Sequence, residues 1–215
     1  MAQIFPSWTN RIPLFLGLGG PLLGVLAIGG VWYWFSPEYT DVGYAPRQPV
    51  PYSHRLHVGQ LGLDCRYCHA SVEVAAVSNV PPTQVCMNCH HLIKRDSPLL
   101  EPVRQSLASG KPMRWKRVHM LPDYAYFNHA VHVRAGVGCI SCHGPIHSME
   151  VVAQAEPLSM GWCLDCHRDP TPHLRPTAEV TNMEWFPPKD QEAWAVQAIA
   201  EKGLAPPEDC SGCHR

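Results

Sequence analysis

The chain has 215 residues, 17 Lys plus Arg against 18 Asp plus Glu, and a formal net charge of −1. That length suggests one or two domains, and the balanced charge leaves no basic footprint for nucleic acid. Twenty-two prolines and 16 glycines imply short elements and many loops, while ten cysteines would suggest an exported disulfide framework unless other chemistry claims them.

Residues 1–11 are a short N-terminal segment ahead of residues 12–35, which carry no charged side chain. As a helix, 12–35 would span roughly 36 Å, enough for a bilayer core with some tilt. Arg11 precedes the run and Glu38 and Asp41 follow it, so the positive-inside bias predicts a cytoplasmic N-terminus. Trp32, Tyr33, Trp34 and Phe35 would form an aromatic belt at the outer interface. A cleaved signal peptide is disfavoured: the run is too long for its apolar region, and no small-x-small site follows. Pro21 interrupts the helix. Gly20 and Gly24 give the spacing that lets a second helix approach closely, which favours packing against other membrane subunits.

Residues 36–53, with Pro37, Pro46, Pro49 and Pro51, read as an extended spacer. Beyond it the ten cysteines form five copies of one pentapeptide with none left over. These are Cys65-Arg-Tyr-Cys68-His69, Cys86-Met-Asn-Cys89-His90, Cys139-Ile-Ser-Cys142-His143, Cys163-Leu-Asp-Cys166-His167 and Cys210-Ser-Gly-Cys213-His214. C-x-x-C-H is the attachment signal for haem c. Two thiols add across the two vinyl groups, and His69, His90, His143, His167 and His214 each ligate an iron from the proximal side. Zinc sites and redox dithiols also use C-x-x-C, but neither needs a histidine after every pair. Five covalent haem c groups use every cysteine. Their propionates would make the assembled protein more acidic than its sequence, favouring basic partner surfaces or buried arginine–propionate pairs.

The haem region repeats internally. Tyr52-Ser-His54-Arg-Leu-His57 leads into Cys65, and Phe127-Asn-His129-Ala-Val-His132 leads into Cys139. Pro81-Pro-Thr before Cys86 parallels Pro157-Leu-Ser before Cys163. The reading is two dihaem modules: 54–118 with its basic connection and a short helix, and 119–175. A linker, a helix and a fifth haem then occupy 176–215. In that helix Asp190 is the predicted N-cap, Ala193, Val196 and Ile199/Ala200 the packed face, and Gly203 the stop. The fold class is mainly α and irregular: one transmembrane helix plus a compact multihaem body with very little sheet.

Distal ligands are in surplus. His54, His57, His129, His132 and His119 are the leading candidates, because an H-x-x-H pair can address two irons. His91, Met149 and Met160 are alternatives, a thioether being the ligand that raises haem potential. His147 and His173, in loops, read as surface residues. Six-coordinate haems pass electrons rather than bind substrate, and neither an activated nucleophile, a P-loop nor a C-x-x-C-K variant is present. No residue is assigned as catalytic.

Three stretches carry a family resemblance: Ile4-Phe-Pro-Ser-Trp-Thr-Asn, His119-Met-Leu-Pro-Asp-Tyr-Ala-Tyr-Phe-Asn-His129 and Ala155-Glu-Pro-Leu-Ser-Met160-Gly-Trp-Cys163. With the single anchor and five sites, they resemble the pentahaem cytochrome c subunit of alternative complex III. That resemblance implies an electron-transfer subunit of a membrane quinol:acceptor oxidoreductase, with the quinol site in a different, multi-helix subunit. Implied companions include an iron–sulfur, molybdopterin-like subunit and a monohaem cytochrome. The implied acceptor is a soluble carrier or an oxidase, in a respiratory or photosynthetic chain. The implied location is the plasma (inner) membrane, single-pass, with the haem body on the periplasmic or outer face. The repeats are also similar to class III multihaem cytochromes. From these it follows that His54 or His129 would ligate the haem of the motif that follows it, and His57 or His132 another haem. The alternative is a self-sufficient, membrane-anchored multihaem quinol dehydrogenase feeding a periplasmic reductase.

Overall fold

The computed structural model describes residues 4–35 and 41–214 and divides into two units, Met1–Thr40 and Asp41–Arg215. Pro37 and Glu38, used above for the spacer and the charge asymmetry, lie outside the described residues, as does Arg215.

The first unit is one helical rod, Ser7–Phe35, of 29 residues. It starts five residues before the uncharged run, in a 3₁₀ turn Ser7–Arg11. At 1.5 Å per residue the rod is about 43 Å long, which covers a hydrocarbon core of about 30 Å and reaches both interfaces. Its apolar side chains are exposed, which is compatible with a single membrane anchor. Pro21 does not break it. Proline lacks an N–H and its ring crowds the carbonyl four residues back, and the turn just ahead, Phe15–Gly19, widens to π-helical spacing. A Cβ at Gly20 or Gly24 would meet nothing within 4 Å, so both glycines are open to a neighbour.

The second unit is built of short helices joined by irregular chain. No strand occurs among the described residues, only isolated bridges Ala125↔His214 and Val137↔Leu174. Each C-x-x-C-H motif begins, ends or forms a helical turn: Cys65–Cys68, Thr83–His90, Ile140–His143, Met160–Arg168 and Cys210–Cys213. Local chemistry fixes three of the starts. Asp64 accepts from the Arg66 N–H, Ser159 from the Trp162 N–H and Asp209 from the Gly212 N–H, each satisfying a free donor of the first turn. The connection after the second motif carries the predicted short helix, Glu101–Ser109, stopped by Gly110 in the left-handed conformation. The buried Thr83 hydroxyl, 2.7 Å from that of Ser106, ties this helix to the second motif.

The proline-rich stretch is more than a spacer. From Gly43 on it is docked, with Gly43 N donating to Gln154 O at 2.8 Å and Gln154 N to Tyr44 O at 3.1 Å. Gln48 pairs with the Lys116 backbone through both ends of its amide. Proline withholds some donors, but the amides between are free to bond, and here they do. The helix predicted between the last two motifs, Gln191–Lys202, starts and stops where predicted, after Asp190 and before Gly203. Its buried face is different. Ala195 and Ala198 pack inward, while Ala193, Val196 and Ala200 are exposed. The amide of Gln191 donates to Thr171 O and Leu174 O, which rotates the helix to bring the small alanines against its neighbour.

Candidate haem-binding sites

The two H-x-x-H segments fold alike in their ring geometry. Tyr52 lies edge-on to His54 (centroids 4.9 Å, 84°) and flat against His57 (4.4 Å, 23°). Phe127 repeats this with His129 (4.7 Å, 83°) and His132 (4.6 Å, 31°). One aromatic side chain therefore orients two imidazoles in each segment. The backbones differ: Arg55–Gln60 is a π-helical turn, whereas His129–Ala135 is α-helical with Asn128 as cap.

Most of these imidazoles have Nδ1 held by a main-chain carbonyl. His69 pairs with Asn79 O at 2.9 Å, His90 with Ile93 O at 2.9 Å and His167 with Pro207 O at 2.7 Å. Among the distal candidates, His57 pairs with Ser53 O at 2.9 Å, His129 with Ala76 O at 2.9 Å and His132 with Asn128 O at 2.8 Å. His91 pairs with Met87 O at 2.8 Å. A carbonyl only accepts, so Nδ1 carries the proton and Nε2 presents its lone pair, the arrangement that orients a metal-ligating histidine.

The rings also approach one another in pairs. His57 and His90 have centroids 6.2 Å apart, His129 and His143 6.3 Å, and His132 and His167 6.1 Å. An iron between two imidazoles, at roughly 2 Å from each Nε2, sets the ring centres about 6 Å apart. His119 behaves differently. It lies 4.5 Å from His143 at 81°, too close for an iron between them, and its Nε2 is buried without a hydrogen-bond partner. His54 stands close enough to His69 to feel its charge. The ring beside His214 is Tyr124, at 5.8 Å.

Burial keeps several of these imidazoles neutral. It lowers the His54 pKa to about 4 and that of His143 to about 3, and lowers His119 and His132 as well. A neutral imidazole is the ligating form. No two of the ten cysteines are joined as a disulfide. Burial pushes the Cys142 thiol up to about 12. The thiols of Cys65 and Cys139 act on each other, which lowers the pKa of the first and raises that of the second, so the first and third motifs approach at their leading cysteines.

The donor set fits haem c. Each motif offers two thiols and one imidazole on a single turn, and the buried Nδ1 atoms of His54 and His143 and Nε2 of His119 have no protein partner. Among the described residues no three His, Cys, Asp or Glu side chains converge as a metal cluster.

Other candidates are placed as follows. His91 is exposed, Met160 is 65% exposed and Met149 is half-buried. His147, expected at the surface, has its Nδ1 buried and without a partner. The sequence reading also missed Arg175, a buried cation beside the third motif. Nothing in its local sequence, Leu174-Arg175-Pro176, signals that position.

Residues 125–215 match the family model described as cytochrome c7 and related cytochrome c. The match takes in three of the five C-x-x-C-H motifs, and the other two lie ahead of it. The chain is also 32% identical over 133 residues to a protein of Nitratidesulfovibrio vulgaris named as the multihaem cytochrome c subunit of a menaquinone reductase. That similarity covers 61% of this chain and 58% of the relative's length, so the chain spans little more than half of the relative it matches.

Proposed function

We propose that the chain is a membrane-anchored pentahaem cytochrome c that relays electrons between a quinone-reactive membrane complex, of the alternative complex III type, and an acceptor outside the cytoplasm. Bound haem c supplies a one-electron iron centre; the protein's part is to hold five of them in fixed places. Cys65/Cys68, Cys86/Cys89, Cys139/Cys142, Cys163/Cys166 and Cys210/Cys213 would hold the haems, and the histidine of each motif would ligate the iron it carries. His57 faces His90, His129 faces His143 and His132 faces His167, and by the parallel between the two repeats His54 would serve the iron of His69. The observation that carries this reading is the set of three imidazole pairs at 6.1–6.3 Å, each joining a motif histidine to one of an H-x-x-H segment. His119 remains a distal candidate with no iron assigned, and Met149, Met160 and His91 are the alternatives. Residues 12–35 anchor the chain, N-terminus inside, and the open faces of Gly20 and Gly24 accept a helix of a partner subunit.

The relative's name favours a second reading on one point: electrons would run toward the quinone pool, not away from it. Capture of the full-length chain from detergent-solubilised membrane, with haem staining and assays in both directions, tests the proposal. A large co-purifying assembly that oxidises quinol supports alternative complex III, and one that only reduces menaquinone reverses the direction. A chain that reacts with quinone unaided moves the reaction into this protein and refutes the relay.

A further inference from the structure

The segment 173–180 wraps around the approach to the third motif. Arg175 N donates to Gly136 O at 2.8 Å, Gly138 N to His173 O at 3.3 Å and Cys139 N to Val180 O at 2.9 Å. Arg175 is drawn inward by these bonds and is 6% exposed. Its guanidinium lies against Gly138, the residue before Cys139, where a Cβ would run into it. Glycine at 138 is thus what lets a cation sit directly behind the third motif.

The charge is poorly compensated. Nη1 donates to Asn182 O at 2.9 Å, the guanidinium carbon stands 4.7 Å over the Trp185 ring, and Nε has no partner. Among the described residues no carboxylate lies within ion-pair distance, although Arg55, Arg66, Arg104 and Arg168 all have one. Glu179 acts on Arg175 only at longer range. A buried, unpaired cation is expensive, and a guanidinium cannot shed its proton to escape the cost. The first repeat is the opposite: Cys65 follows Asp64, an acid neutralised by Arg66 and bonded by Thr181.

We propose that Arg175 sets the potential of the third haem site, its fixed positive charge behind Cys139 favouring the ferrous state there. Reduction adds one negative charge to that site, and a cation in a low-dielectric surrounding stabilises the product over the reactant. The two abutting repeats thereby acquire unequal electron affinities. Arg175 is a positioning charge, not a ligand, and the inference rests on Cys139, Cys142 and His143 holding a haem.

The test is a spectroelectrochemical titration of the purified full-length holoprotein, with haem content measured by mass. A wild-type chain without haem on Cys139 and Cys142 would refute the site itself, separately from the role of Arg175. The third component is identified by its loss in the Cys139→Ala/Cys142→Ala variant. In Arg175→Gln the ferrous-to-ferric ratio of that component at fixed potential is expected to fall at least tenfold, about 59 mV for one electron. Arg175→Lys, which keeps the charge, should hold the ratio within about threefold of wild type, by the same relation. Glu179→Gln, which removes a compensating charge, should move it the other way. A fully loaded Arg175→Gln protein with all five potentials unchanged overturns the inference, as does a lysine variant that shifts as far as glutamine. If Arg175→Gln does not accumulate, Glu179→Gln decides: an upward shift of the third component supports the inference, and no shift overturns it.

Discussion

Replacing His129 by alanine should open one iron and only one. The ring of His129 is 6.3 Å from that of His143 and nearly parallel to it, at 11°, as a ligand on the far side of the same iron would be. His119 is 4.5 Å from His143, short of the roughly 6 Å that an intervening iron requires. The His129→Ala protein should therefore bind carbon monoxide at one haem in five, about 0.2 per haem, and show one high-spin ferric signal. His119→Ala should leave the third site closed. The structural cost of His129→Ala is small. The imidazole bond to Ala76 O is lost, about 1 kcal/mol, while the His129 N–H keeps its own bond to the same carbonyl at 3.1 Å. Circular dichroism should thus report a folded protein. Carbon monoxide binding in His119→Ala at the haem carried by Cys139 and Cys142, with none in His129→Ala, would refute the assignment.

Removing residues 1–35 should release the body from membranes with its haem spectrum unchanged, checked by fractionation and absorbance. Leu174→Ala, at a position 1% exposed, should cost about 2–5 kcal/mol in denaturant unfolding. For Asp64 the sign follows from a pKa held down to about 2 by its bond to Arg66, against an ordinary 3.8. A depressed carboxylate stabilises the fold above the unfolded value, and that contribution is lost as pH falls from about 4 through about 2. Because the side chain is 42% exposed, the contribution is about 1 kcal/mol after screening. Asp64→Asn, which keeps the cap, should show that deficit at pH 7 and converge on wild type near pH 2 in chemical unfolding.

The candidate site was legible as a pattern because the C-x-x-C-H signal is written in spacing. The thiol pairs, the motif histidines and the H-x-x-H segments are all contiguous, and Tyr52 and Phe127 mark both copies of the repeat. The short helices and scarcity of sheet followed from proline and glycine content. What escaped was set by distant partners. The inward face of Gln191–Lys202 is chosen by Gln191 bonding to Thr171 and Leu174, which periodicity within the helix cannot reveal. The docking of Gly43 and Tyr44 on Gln154 crosses over a hundred residues. Arg175 is buried by backbone bonds to Gly136, and no pattern around it announces a cation behind Cys139.

The carbonyl that orients His167 belongs to Pro207, in the approach to the last motif, and that motif is itself stitched back through Tyr126 N to Cys213 O at 2.7 Å. The imidazole of His167 thus takes its alignment from a segment forty residues further along the chain. On the proposed reading, a change that loosens residues 207–213 would disturb two sites at once, because His167 would be free to turn.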